Sequence, residues 1–316
     1  MANLLLSPII QVGNTAYFIF IALGVIATVG LYFAVRKQSY QVKYRVLYGI
    51  IIANFILHFL KLAFQPYRGE LPASIRKVTF ENICAVSTLI FPFLYRSRKQ
   101  AVKNYVFFIG IVGGLAAFLY PTNAIGQPVF AFDTFRFYIN HWGLVAVPLV
   151  SALTGIIKVN YKKCWVAPVF FLIIEYVILF NEVVVMELGW LNWTETNTQT
   201  LLDRNFRNNS FVFGPMDSYG KATGFITALV PDFMTKSVFG LNNGIDFHWP
   251  VVWMIIPAFI YLPLFFLALA APFTYKEMYA DGKALLSKIK ARKKEKYITQ
   301  AEENHANENS EENKQE

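Results

Sequence analysis

Seven predominantly apolar runs separated by polar turns organise the chain, at 14–35, 44–64, 78–95, 102–120, 133–157, 163–187 and 250–273. Crossing a hydrocarbon core about 30 Å thick takes about 20 such residues in a helix. The pattern therefore predicts an all-α membrane protein, a bundle of seven transmembrane helices. The third run, with Pro92 near its end, is the shortest. A connection over 188–249, rich in Asn, Gly and Thr, interrupts the alternation before the last run. Within it GFITALV is too short to span and reads as an interfacial segment. Asn192-Trp-Thr194 and Asn208-Asn209-Ser210 fit the glycosylation pattern.

Polar residues inside these runs carry the candidate chemistry. The fifth run opens FRFYINHWGLVAVPL and holds Arg136, Asn140 and His141. An ionisable group at such depth is costly, about 2.5–3.5 kcal/mol at a helix centre, so it signals function and a polar partner. In the second run Asn54, His58 and Lys61 recur at helical spacing and share one face. Lys61 sits near enough to the helix end to read as snorkelling to the surface. In the third, Glu81, Cys84 and Ser87 or Thr88 form a polar stripe with a thiol at its middle. By the rise of a helix, Cys84 and His58 fall about 9 Å and His141 about 12 Å from the same side of the membrane. The sixth run places Glu175 and Glu182 on one face, with Asn181 beside them. A single hydrated cavity explains all of these positions economically, with Cys84 and His141 as the catalytic pair and His58, Asn140, Glu81, Asn54, Glu175 and Glu182 as its polar lining.

Composition agrees: the chain is 55% hydrophobic and only 16% charged, outside the range of soluble domains. Basic residues set the orientation. The turns with Arg36, Lys37, Lys43 and Arg45, with Arg96, Arg98, Lys99 and Lys103, and with Lys158, Lys162 and Lys163 are expected in the cytoplasm. The amino terminus is then outside and the carboxyl terminus cytoplasmic. Arg68, Arg76 and Lys77 in the second turn run against this rule. The first run lacks the features of a cleavable signal. Residues 1–275 thus form the seven-helix domain, and 276–316 a cytoplasmic tail, polybasic and then acidic, whose composition predicts disorder. Its basic part suits anionic lipid headgroups at the cell membrane; nucleic acid is not expected as a partner. Cys84 and Cys164 are placed too differently for a disulfide and read as free thiols. Neither a metal nor a cofactor is expected.

The stretches ENICAVSTLIFPFLY, PTNAIGQPVFAFDTFRFYINHWGLVAVPLV and HWPVVWMIIPAFIYLPLF resemble the YwaF-like family of bacterial integral membrane proteins, over roughly residues 40–275. Its eukaryotic relatives include a transmembrane acyltransferase of ether phospholipid synthesis thought to use a cysteine and a histidine. On this sequence the matching positions are Cys84 and His141. The resemblance implies a thiol-dependent acyltransferase or acyl hydrolase acting on a phospholipid or lysophospholipid. Two other readings stay open: a small transporter or permease partner with a polar path through Glu175, Glu182, His58 and His141, and a scaffold whose tail recruits partners.

Overall fold

The computed structural model describes residues 8–69, 74–190, 203–205, 208–216, 224–235 and 248–312, with side chains described as far as residue 300. Regular structure among them is helical, apart from an isolated bridge between Ile9 and Pro128. The long helices are α1 (Thr15–Val35), α2 (Tyr40–Leu60), α3 (Ile83–Leu94), α4 (Gln100–Leu119), α5 (Phe132–Leu153), α6 (Val166–Glu187) and α7 (Ile255–Glu312). Five of them, α1, α2, α4, α6 and α7, are long and apolar enough to cross a membrane.

The other two differ from the predicted spans for separate reasons. Helix α5 has the length, but Asp133, Arg136, Asn140 and His141 dilute its apolar character. Helix α3 has the apolar character but only 12 residues, or about 18 Å of rise. It is short because Asn82 caps it late, leaving a 3-10 turn at Ile75–Val78 and an extended link where a longer helix was expected.

The chain divides into two units, Met1–Leu269 and Ala270–Glu316. In the first, α4 and α5 form the central pair, with α2 and α3 packed on them, α6 on α4, and α1 on α5. Glycines let α4 and α5 touch, as small residues do between membrane helices. A β-carbon built at Gly110 would lie 2.6 Å from the Leu144 carbonyl, and one at Gly114 would lie 3.0 Å from that of His141. Helix α2 is pinned to α5 by Asn54, whose Nδ2 donates to the Asn140 carbonyl at 3.0 Å and whose amide lies against Gly143. On α1, Phe20 stacks on Tyr138 and Thr28 accepts from Trp142 at 3.1 Å.

In the second unit the side chains of residues 281–300 are all exposed. The tail read as disordered is helical to Glu312, as its Ala, Leu, Lys and Glu content favours. In the 188–249 connection, GFITALV yields a four-residue helix, Gly224–Thr227, too short for an amphipathic face, with the Phe225 carbonyl accepting from Tyr261 at 2.8 Å. Asn192 lies outside the described residues. Asn208 is an unsuitable glycosylation acceptor: it is buried, and its amide bonds the backbone of Phe213 and Gly214.

Candidate functional site

The start of α3 is held from three sides. Its first free amide is capped when the Asn82 side chain accepts from Ala85 N at 2.9 Å. Asn181 of α6 grips the link before it, accepting from Phe80 N at 3.2 Å and donating to Thr79 Oγ1 at 3.1 Å. From the far connection, Ser210 Oγ accepts from Ile83 N at 3.0 Å. Ser210 and Phe211 sit at φ 71° and 65°, a left-handed backbone that such residues adopt only when their surroundings impose it. Cys84 is the second residue of this helix, and its own N–H makes no hydrogen bond among the described residues. Glu81 stands before the cap, so the expected helical stripe of Glu81, Cys84 and Thr88 does not form as such. Instead Glu81 pairs with Lys77 at 3.3 Å and Arg76 at 4.0 Å.

Between the thiol and the imidazole runs the glycine stretch of α4. Cys84 Sγ donates to the Gly113 carbonyl at 3.8 Å, and one residue on, Gly114 lies against the His141 carbonyl. His141 Nδ1 is 2.7 Å from the Phe137 carbonyl. A carbonyl only accepts, so Nδ1 carries the proton and Nε2 of the neutral ring carries the lone pair. Cys84 and His141 are not hydrogen-bonded to each other. They meet as walls of one cavity of about 50 Å³, lined also by His58, Asn140 and Glu81. That space suits a few waters or a small oxyanion. It is far too small to enclose an acyl chain.

The cavity lies where the end of α2, the links around α3, the α4–α5 turn and the start of α5 come together. Lys61 is part of its wall rather than snorkelling: it is 5% exposed, with its ammonium 5.7 Å from the Tyr67 ring centre. Helix α2 tightens into a 3-10 turn at Lys61–Ala63, which turns this side chain inward. Arg136, also lining the space, binds Asp133 Oδ1 through Nε at 2.6 Å. Tyr67 donates to Asp133 Oδ2 at 3.2 Å. Burial, reinforced by the Asp133 carboxylate, pushes the Tyr67 phenol up to about 12, so it remains a donor at physiological pH. His58 bonds the Val78 backbone, while its Nε2 and the Asn140 Oδ1 are buried without a partner.

Other predicted members lie elsewhere. Asn54 joins helices behind Asn140, and Glu175 and Glu182 on α6 line no part of this cavity. Glu175 is fully buried and both of its oxygens lack a hydrogen bond. The two glutamates therefore form no shared lining with His58 and His141. Tyr67, Asn82 and Asn123 are cavity residues that the polar stripes do not include, and Lys61, on the stripe with His58, lines the cavity where snorkelling was expected. Both cysteines are free thiols.

An all-helical chain with several membrane-crossing helices and an internal polar cavity is a multi-pass membrane protein. A family model described as the TMEM164 family matches residues 10–231, and the chain belongs to that family of transmembrane proteins. The matched stretch contains every residue that lines the cavity. No curated protein and no solved structure matches the chain.

Proposed function

We propose that this protein is a lipid acyltransferase or acyl hydrolase in which Cys84 is the nucleophile and His141 the base. The reading rests on one observation: a cysteine in the first turn of α3 and an imidazole whose Nε2 is an acceptor wall the same buried polar cavity. The resemblance to the YwaF-like proteins points to the same pair. On substrate binding the thiol turns from the Gly113 carbonyl toward His141, and Nε2 takes its proton. The sulfur attacks the ester carbonyl of a phospholipid. The carbon–oxygen bond breaks, the imidazolium protonates the departing alcohol, and an acyl thioester remains. A lysolipid hydroxyl or water, deprotonated by His141, then attacks the thioester. The carbon–sulfur bond breaks and the thiol recovers its proton.

Charge developing on the carbonyl oxygen meets the free N–H of Cys84 and the Asn140 amide. Neutral His58, with its protonated nitrogen turned to Val78, offers Nε2 only as an acceptor and suits ordering of a water or hydroxyl. Glu81, committed to Lys77, orients the loop rather than an imidazole.

In the same reading all seven long helices lie at membrane level in the cell membrane, with the amino terminus outside and the cavity opening outward. Arg76 and Lys77, which run against the charge rule, are there engaged with Glu81. The test is acyl labelling of purified protein in bilayers with a phospholipid carrying a tagged chain. Hydroxylamine-sensitive label is expected on the wild type and absent from Cys84→Ala. Undiminished labelling of that variant overturns the mechanism. Solute flux through proteoliposomes that survives thiol alkylation would favour transport instead.

A further inference from the structure

We propose that Lys61 and Arg136 form a phosphate-binding site that holds the phosphodiester of the lipid whose ester meets Cys84. This rests on the acyl-transfer reading for its substrate, but its own support is charge and geometry. Three cations, Lys61, Lys77 and Arg136, line the cavity against one carboxylate, Glu81, with Asp133 behind Arg136. Lys77 is matched by Glu81 and Arg136 by Asp133. Lys61, nineteen-twentieths buried, has no carboxylate within ion-pair distance among the described residues. Its ammonium offers three donors and accepts nothing. Arg136, equally enclosed, spends only Nε on Asp133, so its two terminal nitrogens make no hydrogen bond to the described residues.

Lys61 and Arg136 turn donors that no described protein group takes up toward this small space, and so enclosed a pair of cations is completed better by an anion than by water alone. Counting the lining groups and Asp133 the excess is one positive charge, and Arg76, which shares Glu81 with Lys77, adds to it; a phosphodiester brings a negative charge to this surplus. A guanidinium fork beside an ammonium suits its two free oxygens. The size of the cavity agrees, since it admits an oxyanion and not a chain. Held there, the phosphate lies against Lys61 and Arg136, and the ester meets Cys84 and His141 at the open side of the cavity, with the acyl chains outside in the lipid. Lys61 and Arg136 are thus positioning residues for the headgroup, not participants in proton transfer.

The experiment uses the full chain in dodecyl maltoside, with wild type, Cys84→Ala, Lys61→Gln and Lys61→Arg compared. Three probes are titrated: monomeric dihexanoylphosphatidylcholine, inorganic phosphate, and dihexanoylglycerol, which keeps the chains and lacks the phosphate. Binding is followed by the phosphorus resonance for the first two, and by thermal unfolding for all three. Saturable binding of dihexanoylphosphatidylcholine is expected for wild type, Cys84→Ala and Lys61→Arg, weakened about tenfold or more in Lys61→Gln. Binding unchanged by Lys61→Gln overturns the site. Equal binding of dihexanoylglycerol shows that phosphate is not recognised and does the same. Preference for inorganic phosphate overturns the lipid headgroup as its source. If Lys61→Gln does not fold, loss of stabilisation by the probe in Arg136→Lys, with Lys61 intact, supports the site, and full stabilisation overturns it. Failure of the thiol chemistry shows as unlabelled wild type with headgroup binding intact, so the two proposals fail separately.

Discussion

At Gly114 a hydrogen in place of a methyl group decides how closely two helices approach. Gly114→Leu would drive its side chain into the His141 carbonyl and Val145, at a cost of about 1–3 kcal/mol from overpacking. It should lower the unfolding temperature and also acyl labelling, because α5 carries His141, the proposed base. Other single residues separate chemistry from support. His141→Gln should leave stability near wild type and reduce turnover by about 10²–10⁴, the usual share of a general base. Asp133→Asn leaves Arg136 buried without its counter-charge and should cost about 3–5 kcal/mol, visible as unfolding at lower temperature even in a catalytically dead Cys84→Ala background. Tyr67, held protonated by burial and Asp133, should contribute no inflection to a pH–rate profile through the neutral range.

Among the elements, legibility followed length and periodicity. Helices α1, α2, α4 and α6 stand within a few residues of the apolar runs that predicted them, because a long unbroken apolar run admits no other structure in lipid. Helix α3 starts five residues after the run over 78–95 does, because two polar residues, Glu81 and Asn82, are too few to split an apolar run of that length by hydropathy alone. The signal that existed was chemical: Asn82 before ICAVSTL is a preferred capping residue. Asn82→Ala should cost about 1 kcal/mol and fray the turn that holds Cys84, raising hydrogen exchange at Ala85 while leaving α4 unchanged. Depth along the helices brought Cys84, His58 and His141 together, and these three line one cavity with Asn140. Lys61 was not, because a lysine at a helix end ordinarily reaches for water and only the 3-10 turn after Leu60 sends it inward. Asp133 and Arg136 stand three apart, a spacing that allows a pair on one helical face, but the pairing itself emerges only from the structure. The separation of Glu175 and Glu182 from the cavity depends on which face α6 turns to α4, and spacing along one helix cannot reveal that.

For the whole molecule, the basic helix after residue 282 presents Lys288, Lys290, Arg292, Lys293, Lys294 and Lys296 beside Leu285, Leu286 and Ile289, all exposed. Such a segment should lie on an anionic leaflet, with about 1 kcal/mol from each basic charge near it. Amide exchange across 283–296 in nanodiscs should slow when phosphatidylserine replaces phosphatidylcholine, and replacing these six basic residues and Lys283 by glutamine should remove the difference.

Helix α3 rises about 18 Å, and in the proposed arrangement, with all seven long helices at membrane level, the lipid around it is about 30 Å deep. Non-helical backbone at 79–82 completes the climb, tolerable only because it lines a cavity. On that proposal the thiol would lie at the bottom of a well whose rim is the leaflet itself. A thicker bilayer deepens that well and a thinner one brings ester groups down to it, so the same chain would work at different speeds in compartments of different lipid length, with no residue altered.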